Sequence, residues 1–173
     1  MINYPQMLLI AGTDRNVGKT TFACKIIEQI SQHTPVTAIK ITPHFHKLTD
    51  NQQIIYQSEQ ITISIENTTN MHKDSSRMLN AGAEKVFYIQ CVDADIKTVF
   101  KIIKPLIPKH NAVVCESGAA HNYINPGIFV VLTKSNSIVK NNDKLQKADM
   151  VIKNFDFNCC KMYFENSRWQ IKS

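Results

Sequence analysis

Residues Gly12-Thr13-Asp14-Arg15-Asn16-Val17-Gly18-Lys19-Thr20-Thr21 join a glycine, a polar loop and a Gly-Lys-Thr-Thr run. An apolar stretch, Leu8 to Ala11, leads in, and an amphipathic stretch leads out. Strand, polar loop and helix in that order are the pattern of a phosphate-binding P-loop. The loop N–H groups and the helix N-terminus converge on one spot, where the helix dipole favours an anion. Lys19 is expected to reach the β- and γ-phosphates, and the Thr20 hydroxyl to ligate Mg²⁺. Gly18 lets the backbone approach phosphate oxygens that a Cβ would obstruct. Five residues separate Gly12 from Gly18, one more than the usual spacing. Gly12 through Thr21 are therefore the expected binding residues for ATP or GTP.

Such a loop needs a second carboxylate for Mg²⁺, at the end of a neighbouring apolar strand. Glu116, after Val113-Val114-Cys115, fits that place. Asp14 inside the loop is a further candidate metal ligand, and Asp93 a third that serves equally as a helix cap. Lys40 sits within an apolar strand, where an ammonium is costly unless paired. A phosphate or substrate carboxylate would pair it. The expected catalytic set is Lys19, Asp14, Glu116 and Lys40, and the metal set Thr20, Asp14 and Glu116.

Other polar groups are placed less firmly by spacing. His44 and His46 would share one face of a strand, and with His72 or Asp50 could bind Zn²⁺, although loop contacts to phosphate suit them better. His121 follows Glu116 closely and is a candidate substrate contact. Thr133-Lys134-Ser135-Asn136 resembles the Asn/Thr-Lys-x-Asp base-reading motif of GTP-binding proteins, which makes Lys134 and Asn136 candidate base contacts. Asn154 is another.

The elements that must hold these residues read as one α/β domain spanning 1–173. Strands are expected at 6–12, 36–42, 85–91, 112–116, 128–133 and 150–152. Helices are expected at 19–32, 74–79, 93–107 and 142–147, with Asp74 or Ser75 capping the second. Strand–helix–strand order implies a mostly parallel sheet in a three-layer P-loop NTPase fold. A β-hairpin at about 52–66 interrupts that rhythm. Placed after a parallel strand's end, it is either a lid over the ligand crevice or an edge ornament. A loop from Gly118 ends at Pro126-Gly127, and the tail at 161–171 closes as a second hairpin.

Composition narrows the partners. Hydrophobic residues make up 43% and charged residues 20% of 173 residues, an ordinary globular balance. The net charge of +6 attracts anions, but the lysines are scattered and the chain has only Arg15, Arg77 and Arg168 as arginines. A dedicated nucleic-acid reader is not expected. Neither a signal peptide nor a membrane-length apolar run is read. Five cysteines, Cys24, Cys91, Cys115, Cys159 and Cys160, three of them inside apolar elements, fit buried thiols in a reducing cytoplasm.

The loop Gly12-Thr13-Asp14-Arg15-Asn16-Val17-Gly18-Lys19-Thr20 resembles that of dethiobiotin synthetase, Gly-Thr-Asp-Thr-x-Val-Gly-Lys-Thr. That resemblance implies Mg²⁺ held by Asp14 and Glu116, and substrate held by Lys40. Arg15 departs from the family, as do Lys40-Ile41 and Glu116-Ser117-Gly118-Ala119-Ala120. The segment Lys73-Asp74-Ser75-Ser76-Arg77-Met78-Leu79-Asn80-Ala81-Gly82-Ala83 is similar to the Lys-Asp-Ser…Ala-Gly-Ala segment of the molybdopterin-guanine dinucleotide biosynthesis protein B family. Ile39-Lys40, His44, His46 and Glu116 echo that family too. Roughly residues 8–120 share in the likeness. It implies weak GTP binding, a role in molybdenum cofactor maturation and a dimer.

Three functions follow. The first is an Mg²⁺-dependent accessory NTPase of the protein B type, working with a cofactor-pathway protein. The second is an ATP-dependent small-molecule ligase or kinase. The third is a degenerate P-loop scaffold that binds a partner through its hairpin.

Overall fold

A computed structural model describes residues 1–48, 52–69, 72–134, 143–154, 156–157 and 161–172. The expected contacts Asn136 and Asp50, and the pair Cys159-Cys160, lie outside the described residues. In chain order the elements are β1 (Ile2–Gly12), α1 (Lys19–Ser31), β2 (Val36–Thr42), β3 (Gln52–Gln57), β4 (Ile61–Glu66) and α2 (Asp74–Asn80). They continue with β5 (Lys85–Cys91), α3 (Ile96–Ile103), β6 (Ala112–Glu116) and β7 (Ile124–Thr133). α4 (Asp143–Lys147), β8 (Met150–Lys153), β9 (Lys161–Glu165) and β10 (Arg168–Lys172) complete the set.

Among the described residues eight strands form one sheet in the order β3-β4-β5-β2-β6-β1-β7-β8. The strands from β5 to β8 run parallel. Their sequences are near-continuous apolar runs because both faces are covered. On one face α3 packs Ile96, Val99, Phe100 and Ile103 against Leu9, Ile39, Phe87 and Val113. On the other, the α1 stripe of Phe22, Ile26, Ile27 and Ile30 meets Leu8, Ile10, Val86 and Val114. Met162 and Trp169 of the separate β9–β10 hairpin join that second face. Phe100 is fully buried, so Phe100→Ala would cost about 3–5 kcal/mol.

The topology opens a crevice at a defined place. After β1 the chain leaves on the α1 face, whereas after β6 it leaves on the opposite face, where Ala120 is buried. β1 and β6 are neighbours in the sheet. Adjacent parallel strands whose connections part in this way leave room for a ligand at their C-terminal ends.

Of the two places open to the 52–66 hairpin, the structure shows the sheet edge: β4 pairs antiparallel with β5, and β3 lies outermost. Three expectations need correction. Pro126-Gly127 does not end a loop but lies inside β7. A Cβ on Gly127 would stand 2.0 Å from the Pro5 carbonyl oxygen, so glycine allows the strands to approach where their register shifts between Tyr4 and Leu8. The expected helix at 93–107 is divided, with 3₁₀ turns at Asp93–Asp95 and Lys104–Leu106 around α3. Neither Asp74 nor Ser75 caps α2. Lys73 is the N-cap, and its backbone N–H donates to the Ser76 hydroxyl at 3.3 Å. No helix among the described residues is long and apolar enough to cross a membrane.

Candidate functional site

The loop between β1 and α1 is fixed by three local features. Gly12 closes β1, and a Cβ there would stand 2.5 Å from Val17 Cγ2. Val17 is buried among the α1-face core residues and anchors the loop from below. Asn16 and Gly18 take positive φ, 56° and 86°, turning the chain into Lys19 and the first turn of α1. Glycine adopts that left-handed geometry at little steric cost. Lys19 Nζ donates to the Asp14 carbonyl oxygen at 3.0 Å.

The strand ends supply the opposite wall. In the sheet register Ile10 stands beside Glu116, Glu116 beside Lys40, and Lys40 beside Tyr88. Thr20 comes down from α1 to donate its hydroxyl to Glu116 Oε2 at 2.8 Å. Lys40 Nζ lies 2.6 Å from Glu116 Oε1 and 2.8 Å from Asp74 Oδ2. Arg77 Nη1 is 3.8 Å from Asp74, and its Nη2 donates to the Thr21 hydroxyl at 3.1 Å. One chain of contacts therefore links α1, β6, β2 and α2.

Charge in this network is balanced closely. Burial opposes the Lys40 ammonium, but Glu116 and Asp74 outweigh it and hold its pKa above the ordinary lysine value. Burial likewise opposes ionised Asp74, and Lys40, Thr20 and Arg77 prevail, keeping that carboxyl below its ordinary range. Lys19 goes the other way. Burial lowers its pKa, Glu116 resists, and repulsion from Lys40 and Lys144 adds to the lowering. Mutually repelling cations over a helix N-terminus form a place where a polyanion relieves strain in the charge distribution.

These groups line a cavity of about 410 Å³. Of the residues expected from sequence, Arg15, Asn16, Gly18, Lys19, Thr20, Thr21, Lys40 and Glu116 face it. Asp14 does not. Its carboxylate is exposed and accepts from the Thr13 hydroxyl at 3.2 Å. Thr13 turns toward Thr133, hydroxyl to hydroxyl at 3.1 Å, and Lys134 is exposed beyond the end of β7. Asp93 lies in its 3₁₀ turn, away from this cavity. Asn154, at φ 53°, donates its backbone N–H to the Thr133 carbonyl oxygen at 3.1 Å.

Asp74 and Arg77 are the residues that sequence reasoning missed. The signal was Lys40 itself, because a lysine in a parallel strand requires a counter-ion. Of the Zn²⁺ set expected from sequence, Asp50 lies outside the described residues. His44 Nε2 is 3.4 Å from Arg15 Nη2, and the His46 backbone N–H donates to Gln90 Oε1. Among the described residues no three His, Cys, Asp or Glu side chains group for a metal ion. His121 is buried, stacked 5.4 Å from the Phe129 ring, with Nε2 3.5 Å from Asp143; it lines a different cavity.

The oxygen donors suit a hard cation. The Thr20 hydroxyl and the Glu116 carboxylate are both buried and adjacent. Mg²⁺ is habitually held by one or two such oxygens, with waters and phosphate oxygens completing six positions. Comparison of the chain with protein-family models, with curated proteins and with solved structures gives no match.

Proposed function

We propose that this chain is a P-loop protein that binds a nucleoside triphosphate, ATP or GTP, together with Mg²⁺. The observation that carries the reading is the Thr20–Glu116 contact at 2.8 Å beside Lys19, at the N-terminus of α1. A helix N-terminus, a lysine and an adjacent hydroxyl–carboxylate pair are the groups a triphosphate–metal complex requires.

In this reading the residues act by position and charge. The loop N–H groups and Lys19 orient the phosphate chain. Thr20 and Glu116 would hold Mg²⁺, which when bound neutralises charge on the β- and γ-phosphate oxygens. Lys40 and Arg77 face the same cavity and offer cations to charge building on the terminal phosphoryl group. Asp74 keeps both cations in place, through contacts at 2.8 and 3.8 Å. The site thus combines hydrogen-bond donors and cations for a phosphate chain with a buried carboxylate floor, groups that NTP binding and NTP hydrolysis both require.

The segment 73–83, which resembles protein B of molybdopterin-guanine dinucleotide biosynthesis, contributes Asp74 and Arg77 to this cavity. That favours an accessory role in cofactor maturation, in the cytoplasm, over the ligase reading, whose loop signature depends on Asp14.

Thermal shift with ATP and with GTP, each with and without Mg²⁺, tests the proposal. The expected result is a nucleotide- and Mg²⁺-dependent rise in Tm that Lys19→Ala removes. A variant that is stabilised as strongly as the parent overturns the reading.

A further inference from the structure

Far from the phosphate cavity, the start of β1 and the end of α3 frame a further cavity of about 660 Å³. Its floor is apolar. Tyr4, Phe100 and Ile107 are buried there, and Tyr4 meets Phe100 edge-on at 6.1 Å. The phosphate loop follows Gly12 at the other end of β1, roughly 25 Å from Tyr4 at the rise of a strand.

The walls are tied to one another. Gln6 Nε2 donates to the carbonyl oxygens of Pro108 at 3.2 Å and Asn111 at 2.9 Å, which fastens the segment after α3 to β1. Lys104 Nζ donates to the Asn3 carbonyl oxygen at 3.2 Å and lies 5.2 Å from the Tyr4 ring centroid. The Tyr4 hydroxyl is buried and has no hydrogen-bond partner. Burial, with Cys115 adding to it, pushes its pKa up and keeps it protonated. Buried polar atoms are seldom left so, and here a donor beside the cavity has no acceptor from the fold.

The rim carries one sign of charge. Lys101, Lys104 and Lys109 line it, and among the described residues no aspartate or glutamate does. Lys101 and Lys109 are exposed, and none of the three lysines enters an ion pair among the described residues. The Asn3 carbonyl that holds Lys104 is neutral, so that bond leaves its charge uncompensated. Lys101 and Lys104 stand one helical turn apart, where like charges repel.

We infer that this cavity binds a carboxylate with an apolar tail, of the chemistry of a medium-chain fatty acid. The tail would lie over Tyr4, Phe100 and Ile107, with the head among the three lysines. The volume falls in the range of small-molecule sites. The apolar floor recognises the tail, the lysines select an anion, and the concave shape favours one molecule over a flat membrane. The site stands at the opposite end of β1 from the nucleotide cavity and does not rest on the function proposed above.

Calorimetric titration of the full chain with hexanoate, octanoate and decanoate tests the inference, with acetate and decylammonium as controls. Decanoate should saturate below about 1 mM, at least about tenfold more tightly than either control. Each two carbons added should tighten binding about fivefold, as buried methylenes do. Lys101→Gln/Lys109→Gln should weaken decanoate binding about tenfold or more and keep the parent's urea midpoint. Pro105 is exposed on the lining, and Pro105→Glu, which sets a carboxylate beside the lysines, should abolish binding. Four results overturn the inference: no saturation by decanoate below about 1 mM, decylammonium binding as tightly, affinity indifferent to chain length, or either variant binding as the parent does. Sedimentation with phosphatidylglycerol vesicles covers the other source of an anionic amphiphile. A chain that binds those vesicles but not decanoate has a membrane contact on this face, and the inference fails.

Discussion

Thr20 and Glu116 are 96 positions apart in the chain, and their side-chain oxygens are 2.8 Å apart in the fold. The contact closes the crevice between β1 and β6 from the helix side. It also leaves Glu116 with one oxygen on Thr20 and the other on Lys40. A carboxylate shared in this way can exchange a hydroxyl partner for a cation without losing its lysine.

Replacing Thr20 by valine keeps the shape and removes that hydroxyl. Nucleotide affinity in Mg²⁺ should fall about tenfold or more, while affinity in chelator barely changes. Calorimetry under both conditions reads this directly. A variant that keeps the parent's Mg²⁺ dependence would exclude Thr20–Glu116 as the metal site.

Glu116 also carries a structural burden. Its side chain is 3% exposed, and Lys40 beside it is 14% exposed. Removing one member of a buried pair strands the other charge, at a cost of about 3–5 kcal/mol. Asp74 still contacts Lys40, so Glu116→Ala should lie near the lower bound, about 3 kcal/mol by urea unfolding. Glu116→Gln retains an acceptor for Lys40 and should cost less. Equal stability for the parent and Glu116→Ala would mean that the pair contributes nothing to folding.

Much of this arrangement was legible in the sequence, for definite reasons. Pro35 and Pro43 bracket β2 on both sides, and the Phe22, Ile26, Ile27, Ile30 stripe defines the buried face of α1. Glu116 was found because it ends an apolar strand. Asp74 was misread because an acidic residue ahead of a helical run usually caps it. Its actual partner, Lys40, is brought near only by the sheet and α2 packing together. The hairpin was ambiguous because alternation marks a strand without naming its neighbour. Ser64, buried within β4, donates its hydroxyl to the Tyr88 carbonyl oxygen at 3.2 Å, which fits an inner strand and not a lid. Pro126-Gly127 was misread because the close approach of Pro5 is a long-range fact.

The Lys40–Asp74 pair predicts two pH limbs. Asp74 is held below its ordinary pKa of 3.8, so its contribution to stability is complete above that value and is lost as pH falls through the lower folded value. Lys40 is held above 10.5, so its contribution is complete below 10.5 and is lost as pH rises through the higher folded value. Stability from the pair is therefore level between these limits. Asp74→Asn should flatten the acid limb of a urea-midpoint profile below about pH 4 and leave the neutral plateau nearly level. Two superimposable acid limbs would show that Asp74 does not gain its charge stabilisation in the folded state.

Trp169 reports whether the C-terminal hairpin belongs to the cooperative core. It is the sole tryptophan of the chain, 6% exposed, and donates its indole N–H to the Gln6 carbonyl oxygen at 2.9 Å. Its ring meets Phe164 edge-on at 5.3 Å, and Gln29 of α1 donates to the Met162 carbonyl oxygen at 3.1 Å. Among the described residues β9 and β10 pair only with each other, and a lone two-stranded hairpin is marginal in water. Docking on β1 and α1 must therefore supply its order, and its order should be lost with theirs. Fluorescence and far-ultraviolet dichroism should give coincident urea transitions in the parent. Trp169→Phe keeps the apolar contact but orphans the Gln6 carbonyl, at about 1–3 kcal/mol, whereas Trp169→Ala also empties the contact, at about 3–5 kcal/mol. A fluorescence transition well before the dichroism one would show the hairpin undocking as a unit of its own, and Trp169→Ala would then leave the main transition in place.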